Sequence, residues 1–229
     1  MANLIGIVGE SGSGKSTSIG FLNPTETVVV SVANKPLPIK GFQKKYTLFD
    51  GKTNPKGNLF NSSNVEQIRQ FMQFINLRRP DIKNLIIDDA QYLMSFELMN
   101  RAEEKSYDKF TQIAAHFYSV LKEAINLRPD LNIIIMTHSE NIGDAINPQY
   151  KMKTIGKMLD SAITVEGLFT YVIFTRKSLD DNDKPVYEFI TNYDGTNTAK
   201  TPAGCFESLT MPNNLQMVVE AIDKYNNEE

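Results

Sequence analysis

The sequence predicts an α/β domain: a mainly parallel central sheet flanked by helices, with an antiparallel extension towards the C-terminus. Three observations predict it. Short, β-branched apolar runs recur along the chain, and continuous runs of that kind suit strands buried on both faces of a parallel sheet. Stretches with helical spacing lie between them, as crossover connections require. A glycine- and serine-rich segment follows the first run directly, where a strand would pass into a helix.

The apolar runs are residues 4–8, 27–32, 85–87, 133–137 and 171–174. Val65, Ile68, Phe71, Met72 and Ile75 share one helical stripe, and Phe110, Ile113, Ala114, Phe117, Leu121 and Ala124 share another. Stripes of that width face a core. Residues 171–177, the acidic turn 180–183 and residues 186–191 read as a hairpin, which supplies the antiparallel extension. A last helix, about 212–226, packs through Leu215, Val218, Val219, Ile222 and Tyr225.

At 229 residues, 41% hydrophobic and 22% charged, the chain reads as one domain, 1–229. It holds no run of about 18 apolar residues and no basic-then-apolar leader, so no membrane role and a cytoplasmic location are expected. Cys205 is the only cysteine, which excludes an intrachain disulfide and suits a reducing compartment. A formal net charge of −3 offers no global attraction to nucleic acid, so any such contact needs a local basic patch.

Residues 9–17, GESGSGKST, satisfy G-x-x-x-x-G-K-[ST] at every fixed position, between a strand and a helix. Gly9, Gly12 and Gly14 let successive N–H groups turn inward around phosphate oxygens. The set Gly9, Glu10, Ser11, Gly12, Ser13, Gly14, Lys15, Ser16 and Thr17 is therefore the expected phosphate cradle. The following helix should add its positive end. Lys15 reaches the outer phosphates, and the Ser16 hydroxyl is placed for Mg²⁺. The partner carboxylate is expected in NLIIDDAQ, an apolar strand ending in two acids. Asp88 would hold Mg²⁺ with Ser16, and Asp89 would orient or activate a water, with Glu10 a second candidate. Thr137 and His138, after the run 133–137, stand where a γ-phosphate could be sensed.

With these motifs in place the sequence resembles the RecA-like branch of P-loop ATPases, and more narrowly the small phage-encoded RecA-type ATPases that accompany single-strand annealing and recombination proteins. The resemblance covers roughly residues 2–200. It implies ATP and Mg²⁺ as ligands, and single-stranded DNA and an annealing or single-strand-binding protein as partners. It also implies a homo-oligomer or filament. On the resemblance, residues 94–109 fall at a first DNA-facing loop and residues 139–153 at a second. Arg176 and Lys177 fall where a cationic finger completes a neighbouring subunit's site. The sequence departs from that family in two places. The catalytic Glu usually found beyond the second strand is absent, and Ala33, Asn34 and Lys35 stand there instead. The proposed first loop also carries Glu97, Glu103 and Glu104.

Two local basic stretches answer the need for a patch. Residues 35–57, ending at Gly57, hold Lys35, Lys40, Lys44, Lys45, Lys52 and Lys56, with Phe42, Tyr46 and Phe49 interleaved, a pattern suited to a single strand. Residues 139–157, from Ser139, carry Lys151, Lys153 and Lys157. The leading reading is an ATPase acting on or with single-stranded DNA. The alternatives are a nucleotide-gated binding or loading module with little turnover, and a small-molecule P-loop kinase. ATP is preferred over GTP on the resemblance alone.

Overall fold

The computed structural model describes residues 1–154 and 164–227. In chain order its strands are β1 (Asn3–Val8), β2 (Thr27–Ser31), β3 (Leu59–Asn61), β4 (Asn84–Asp88), β5 (Asn132–Thr137), β6 (Ser139–Asn141), β7 (Tyr150–Met152), β8 (Tyr171–Leu179), β9 (Pro185–Ile190) and β10 (Thr210–Pro212). Its helices are α1 (Lys15–Ser18), α2 (Phe42–Lys45), α3 (Val65–Arg78), α4 (Gln91–Asn100), α5 (Asp108–Ile125) and α6 (Leu215–Asn227). The main sheet runs β10-β9-β8-β1-β5-β4-β2-β3, and β6 and β7 form a separate antiparallel ribbon. Strands from β8 to β3 along that order pair in parallel; β9 and β10 pair antiparallel beyond β8. This is the α/β class that the sequence predicts, with its antiparallel extension.

Alternation along the buried strands divides the core in two. Val28, Val30, Leu85, Ile87, Ile133 and Ile135 face α3 and α5, meeting Ile68, Phe71, Ile75, Ile113, Phe117 and Leu121. Ile5, Ile7, Val29, Ile86, Ile134 and Met136 face the other way, onto Ile19 and onto Leu215, Val218, Val219 and Ile222 of α6. The expected terminal helix therefore forms, starting three residues after Pro212. Among the described residues, no helix is long and apolar enough to cross a membrane.

Parallel pairing in step brings the strand ends to one edge. Val8 lies beside Thr137 and Phe174, and Ser31 beside Asp88. β5 alone separates the glycine loop's strand from the strand that ends in two acids. Open α/β sheets bind ligands at this carboxyl edge.

Two elements differ from expectation. The helix after the glycine loop is one turn, α1, continued only by a 3-10 turn, Ile19–Phe21. Gly20 and the pair Asn23-Pro24 explain the early stop, since neither glycine nor the residue before proline favours continued helix. Residues 94–109 are not an open loop: α4 covers their first half, and Arg101 joins Glu97 and Glu104 in ion pairs. Lys109 is buried, with Nζ donating to the Arg101 and Glu104 carbonyls at 3.2 and 2.7 Å. Arg101 and Lys109 are thus held largely by groups of the segment itself.

Because Ile222 is fully buried against the sheet, truncation leaves a cavity. Ile222→Ala is expected to lower unfolding stability by about 2–5 kcal/mol, as read from the denaturant midpoint.

Candidate functional site

Gly9 roots the loop at the sheet edge. Its N–H donates to the Thr137 carbonyl at 3.2 Å, and its carbonyl accepts from the Ser139 N–H at 3.2 Å. A Cβ on residue 9 would lie 1.8 Å from Thr175 Oγ1, so only glycine lets β8 press this closely. The Ser13 hydroxyl donates to the Glu10 carbonyl at 2.7 Å and stands 2.5 Å from Thr175 Oγ1. Gly14, at φ +96°, caps α1 in a backbone conformation that side chains disfavour. Lys15 is buried, and Nζ donates to the Gly9 and Glu10 carbonyls at 2.7 and 2.8 Å. Glu10, Ser11, Gly12 and Thr17 are exposed on the loop. With α1 a single turn, the helix dipole expected from the sequence is small, and attraction for an anion rests on loop N–H groups and Lys15.

The acids converge on this loop. Ser16 Oγ donates to Asp88 Oδ1 at 2.9 Å and Oδ2 at 3.1 Å, bridging 72 residues of sequence. Burial pushes the Asp88 carboxyl up to about 6, aided by the charge of Asp89, while Ser16, Lys35 and Lys15 pull the other way. The same burial pushes the Lys15 ammonium down to about 8, against the attraction of Asp89 and Asp88. Asp89 is buried at φ +59°, a conformation held by the Ala90 N–H donating to the Met136 carbonyl at 2.8 Å. Its Oδ2 is ion-paired with Lys35.

His138 is partly buried, with Nε2 3.8 Å from Asp89 Oδ1 and its ring edge-on to Tyr92. Burial and the Lys15 charge hold its pKa below the usual value, so it is neutral near pH 7. Its N–H donates to Gln91 Oε1 at 3.3 Å, and its carbonyl accepts from the Lys153 N–H at 2.8 Å, which ties the β6–β7 ribbon to the site. Thr137 Oγ1, Gln91 Nε2 and Asn213 Nδ2 are buried without hydrogen-bond partners, and Asn213 packs against Gly14. Buried polar atoms left unpaired are costly, and these three lie around one loop and one sheet edge.

Sequence reasoning therefore placed Lys15, Ser16, Asp88, Asp89 and His138 where the fold brings them together. It missed Gln91, Asn213 and Thr175, and it assigned Lys35 to a DNA patch. A signal existed for Gln91 alone, two residues beyond the acid pair. Arg176 lies on β8 and pairs with Glu188 Oε2 across the hairpin at 2.8 Å. Lys177 Nζ lies 5.7 Å from the Tyr187 ring centre. A cavity of about 440 Å³ lies between the loop residues Glu10 to Ser13 and Phe174, Arg176 and Asn197.

The stretch 35–57 needs correcting in its aromatic half. Tyr46 is 4% exposed, Phe42 packs on the core, and Phe49 stacks within a cluster with Phe60, Phe71 and Phe74. Burial has claimed the Tyr46 ring and part of Phe42 and Phe49, while Lys40, Lys44, Lys45, Lys52 and Lys56 remain exposed. In the second stretch Lys151 pairs with Glu140 at 3.2 Å, and Lys157 lies outside the described residues.

The donor set fits Mg²⁺. Ser16 and Asp88 supply adjacent hard oxygens, and among the described residues no three His, Cys, Asp or Glu gather into a protein-only metal cage. Magnesium in nucleotide sites is held in that way, by one or two protein oxygens, phosphate and water.

No family model and no curated protein matches the chain. Among solved structures it is similar to the assembled ATPase EscN of the enteropathogenic E. coli type III secretion system. Identity is 13% and the TM-score 0.48, over 76% of this chain; the match spans 43% of the EscN chain.

The two shifted groups predict a pH profile. Mg²⁺ binding needs ionised Asp88, so affinity for Mg-nucleotide is expected to fall as pH drops through about 6. Phosphate attraction needs charged Lys15, so affinity is also expected to fall as pH rises through about 8. Fluorescent-nucleotide titration across the range measures both limbs, and Asp88→Asn should remove the acidic one.

Proposed function

We propose that this site binds ATP with Mg²⁺ and hydrolyses it, in a protein that acts on or with single-stranded DNA. The observation that carries the nucleotide reading is the Ser16–Asp88 hydrogen bond. It joins the last residue of a phosphate-loop motif to a buried carboxylate on a strand two places away, as a shared magnesium requires.

The chain's own groups suggest how turnover proceeds. Lys15 exchanges the Gly9 and Glu10 carbonyls for phosphate oxygens, and the loop N–H groups hold the remaining charge. Ser16 and Asp88 would hold a Mg²⁺, which would supply charge neutralisation at the outer phosphates. Asp89, buried beside Asp88, is the better placed of the two candidate bases, since Glu10 lies on the exposed side of the loop. A water oxygen bonds to the γ-phosphorus, and the bond to the bridging oxygen breaks with its electron pair left on the diphosphate. The water's proton passes to Asp89. ATP rather than GTP follows from the family resemblance alone.

The DNA part rests on the exposed lysines of residues 35–57 and on the ribbon attached at His138, which could carry nucleotide state to a bound strand. One observation favours the loader reading beside it: a lysine, not an acid, follows β2 and occupies Asp89.

The test is ATP turnover with Mg²⁺, with and without single-stranded DNA. Stimulation by DNA that is lost in Lys15→Ala supports the full proposal. Tight nucleotide binding with a low rate unmoved by DNA supports the gated module, and transfer of phosphate to a nucleoside supports the kinase. Arg176→Ala is expected to leave nucleotide affinity intact and lower turnover in the oligomer by about 10³-fold or more. Equal loss of binding and turnover would remove the trans-finger assignment.

A further inference from the structure

We propose that Lys35 reads the terminal phosphate: it holds Asp89 until a nucleoside triphosphate binds, then moves its ammonium from that carboxylate to the γ-phosphate. The proposal rests on the nucleotide reading above and names the residue that separates triphosphate from diphosphate.

The backbone puts Lys35 there. β2 ends at Ser31 beside Asp88, and the Val32 N–H donates to the Asp88 carbonyl at 3.4 Å, so residues 32–35 continue along the edge that carries the acids. Asn34 then takes φ +51°, a left-handed turn that asparagine tolerates, and Pro36 follows. Lys35 Nζ lands on Asp89 Oδ2. The pair is lopsided: the lysine side chain is 49% exposed, the aspartate 4%. The carboxylate is fixed, and the ammonium rides on a flexible stem that can leave it.

Lys35 is central to the site. Burial alone would lower its pKa, but the hydrogen bond and charge of Asp89, with Asp88 behind, more than offset this, so it is firmly charged. Its charge also acts on Lys15, Asp88 and His138. With both lysines charged and both acids ionised, Lys15 and Lys35 balance Asp88 and Asp89. A bound Mg-triphosphate adds net negative charge beside Lys15, next to the only one of these cations with an exposed stem. A diphosphate offers no γ-oxygen to draw Lys35 away from Asp89. When Lys35 moves, Asp89 loses its cation partner, so one exchange both registers the triphosphate and frees the carboxylate that Lys35 had covered.

The experiment compares Mg-ADP with the Mg-β,γ-imido triphosphate analogue by calorimetry, on wild type, Lys35→Ala, Lys35→Gln and Lys35→Arg, with thermal melting as the folding control. Wild type is expected to prefer the analogue. The Ala and Gln variants should lose about 10- to 100-fold on the analogue and distinctly less on ADP, and Arg should restore part of the preference. Equal loss on both ligands, or no loss on either, overturns the role of Lys35 while leaving the nucleotide site standing. If wild type binds neither ligand, the nucleotide reading itself falls, and this inference with it.

Discussion

Burying ionisable groups together is the constraint on which the rest of this structure depends. Lys15, Asp88 and Asp89 are 5%, 1% and 3% exposed at one sheet edge. Each would be driven towards its neutral form if buried alone, and the shifts of Lys15 and Asp88 show that pressure acting on both signs. Mutual attraction and hydrogen bonds oppose it, and they act only at short range. The order β1-β5-β4 supplies that range, because parallel strands in step end at a common edge. Ser16, the loop carbonyls and Lys35 then satisfy the charges one by one.

Asp89 is the point where the site meets the segments around it. Lys35 opens the long excursion between β2 and β3, and His138 precedes the β6–β7 ribbon; both face the same carboxylate. Gly9 is hydrogen-bonded on either side of His138, to Thr137 and Ser139, so the loop and the ribbon share a root. A change in charge at Asp89 is therefore felt by two exposed segments at once. The left-handed backbone of Asp89 belongs to this arrangement, since strain of that kind persists only where surrounding contacts over-determine it.

The elements legible in the sequence are those whose signal is local. Apolar runs, helical stripes, the phosphate-loop spacing and an acid at a strand's end each lie within one stretch of chain, and the fold keeps them. What stayed hidden depends on contacts between distant residues. Lys35 reads as one of six lysines in a basic stretch, and only the sheet order shows it beside Asp89, 54 positions later. Tyr46 and Phe49 read as stacking platforms because sequence spacing does not tell an exposed ring from one taken into the core. Residues 94–109 read as a charged loop although α4 covers their first half, and there Arg101 pairs with acids only three and four residues away. The brevity of α1 was visible in Gly20 and Pro24, and the motif's usual helix masked it.

Burial also separates the two cations proposed to act on phosphate. Arg176 is paired with Glu188 on an exposed hairpin, the two side chains 46% and 26% accessible. Pairs of that kind contribute little, about 0–1 kcal/mol, so Arg176 can leave Glu188 at small cost. Lys35 is bound to a carboxylate almost closed to solvent, and leaving it uncompensates a buried charge. Only a ligand that brings strong negative charge to the same place can offset that loss, by taking the ammonium itself. On the proposal above, a γ-phosphate is that charge, and a diphosphate has none to offer. The exposed pair is thus easily exchanged, and the buried pair is exchanged only for a comparable charge.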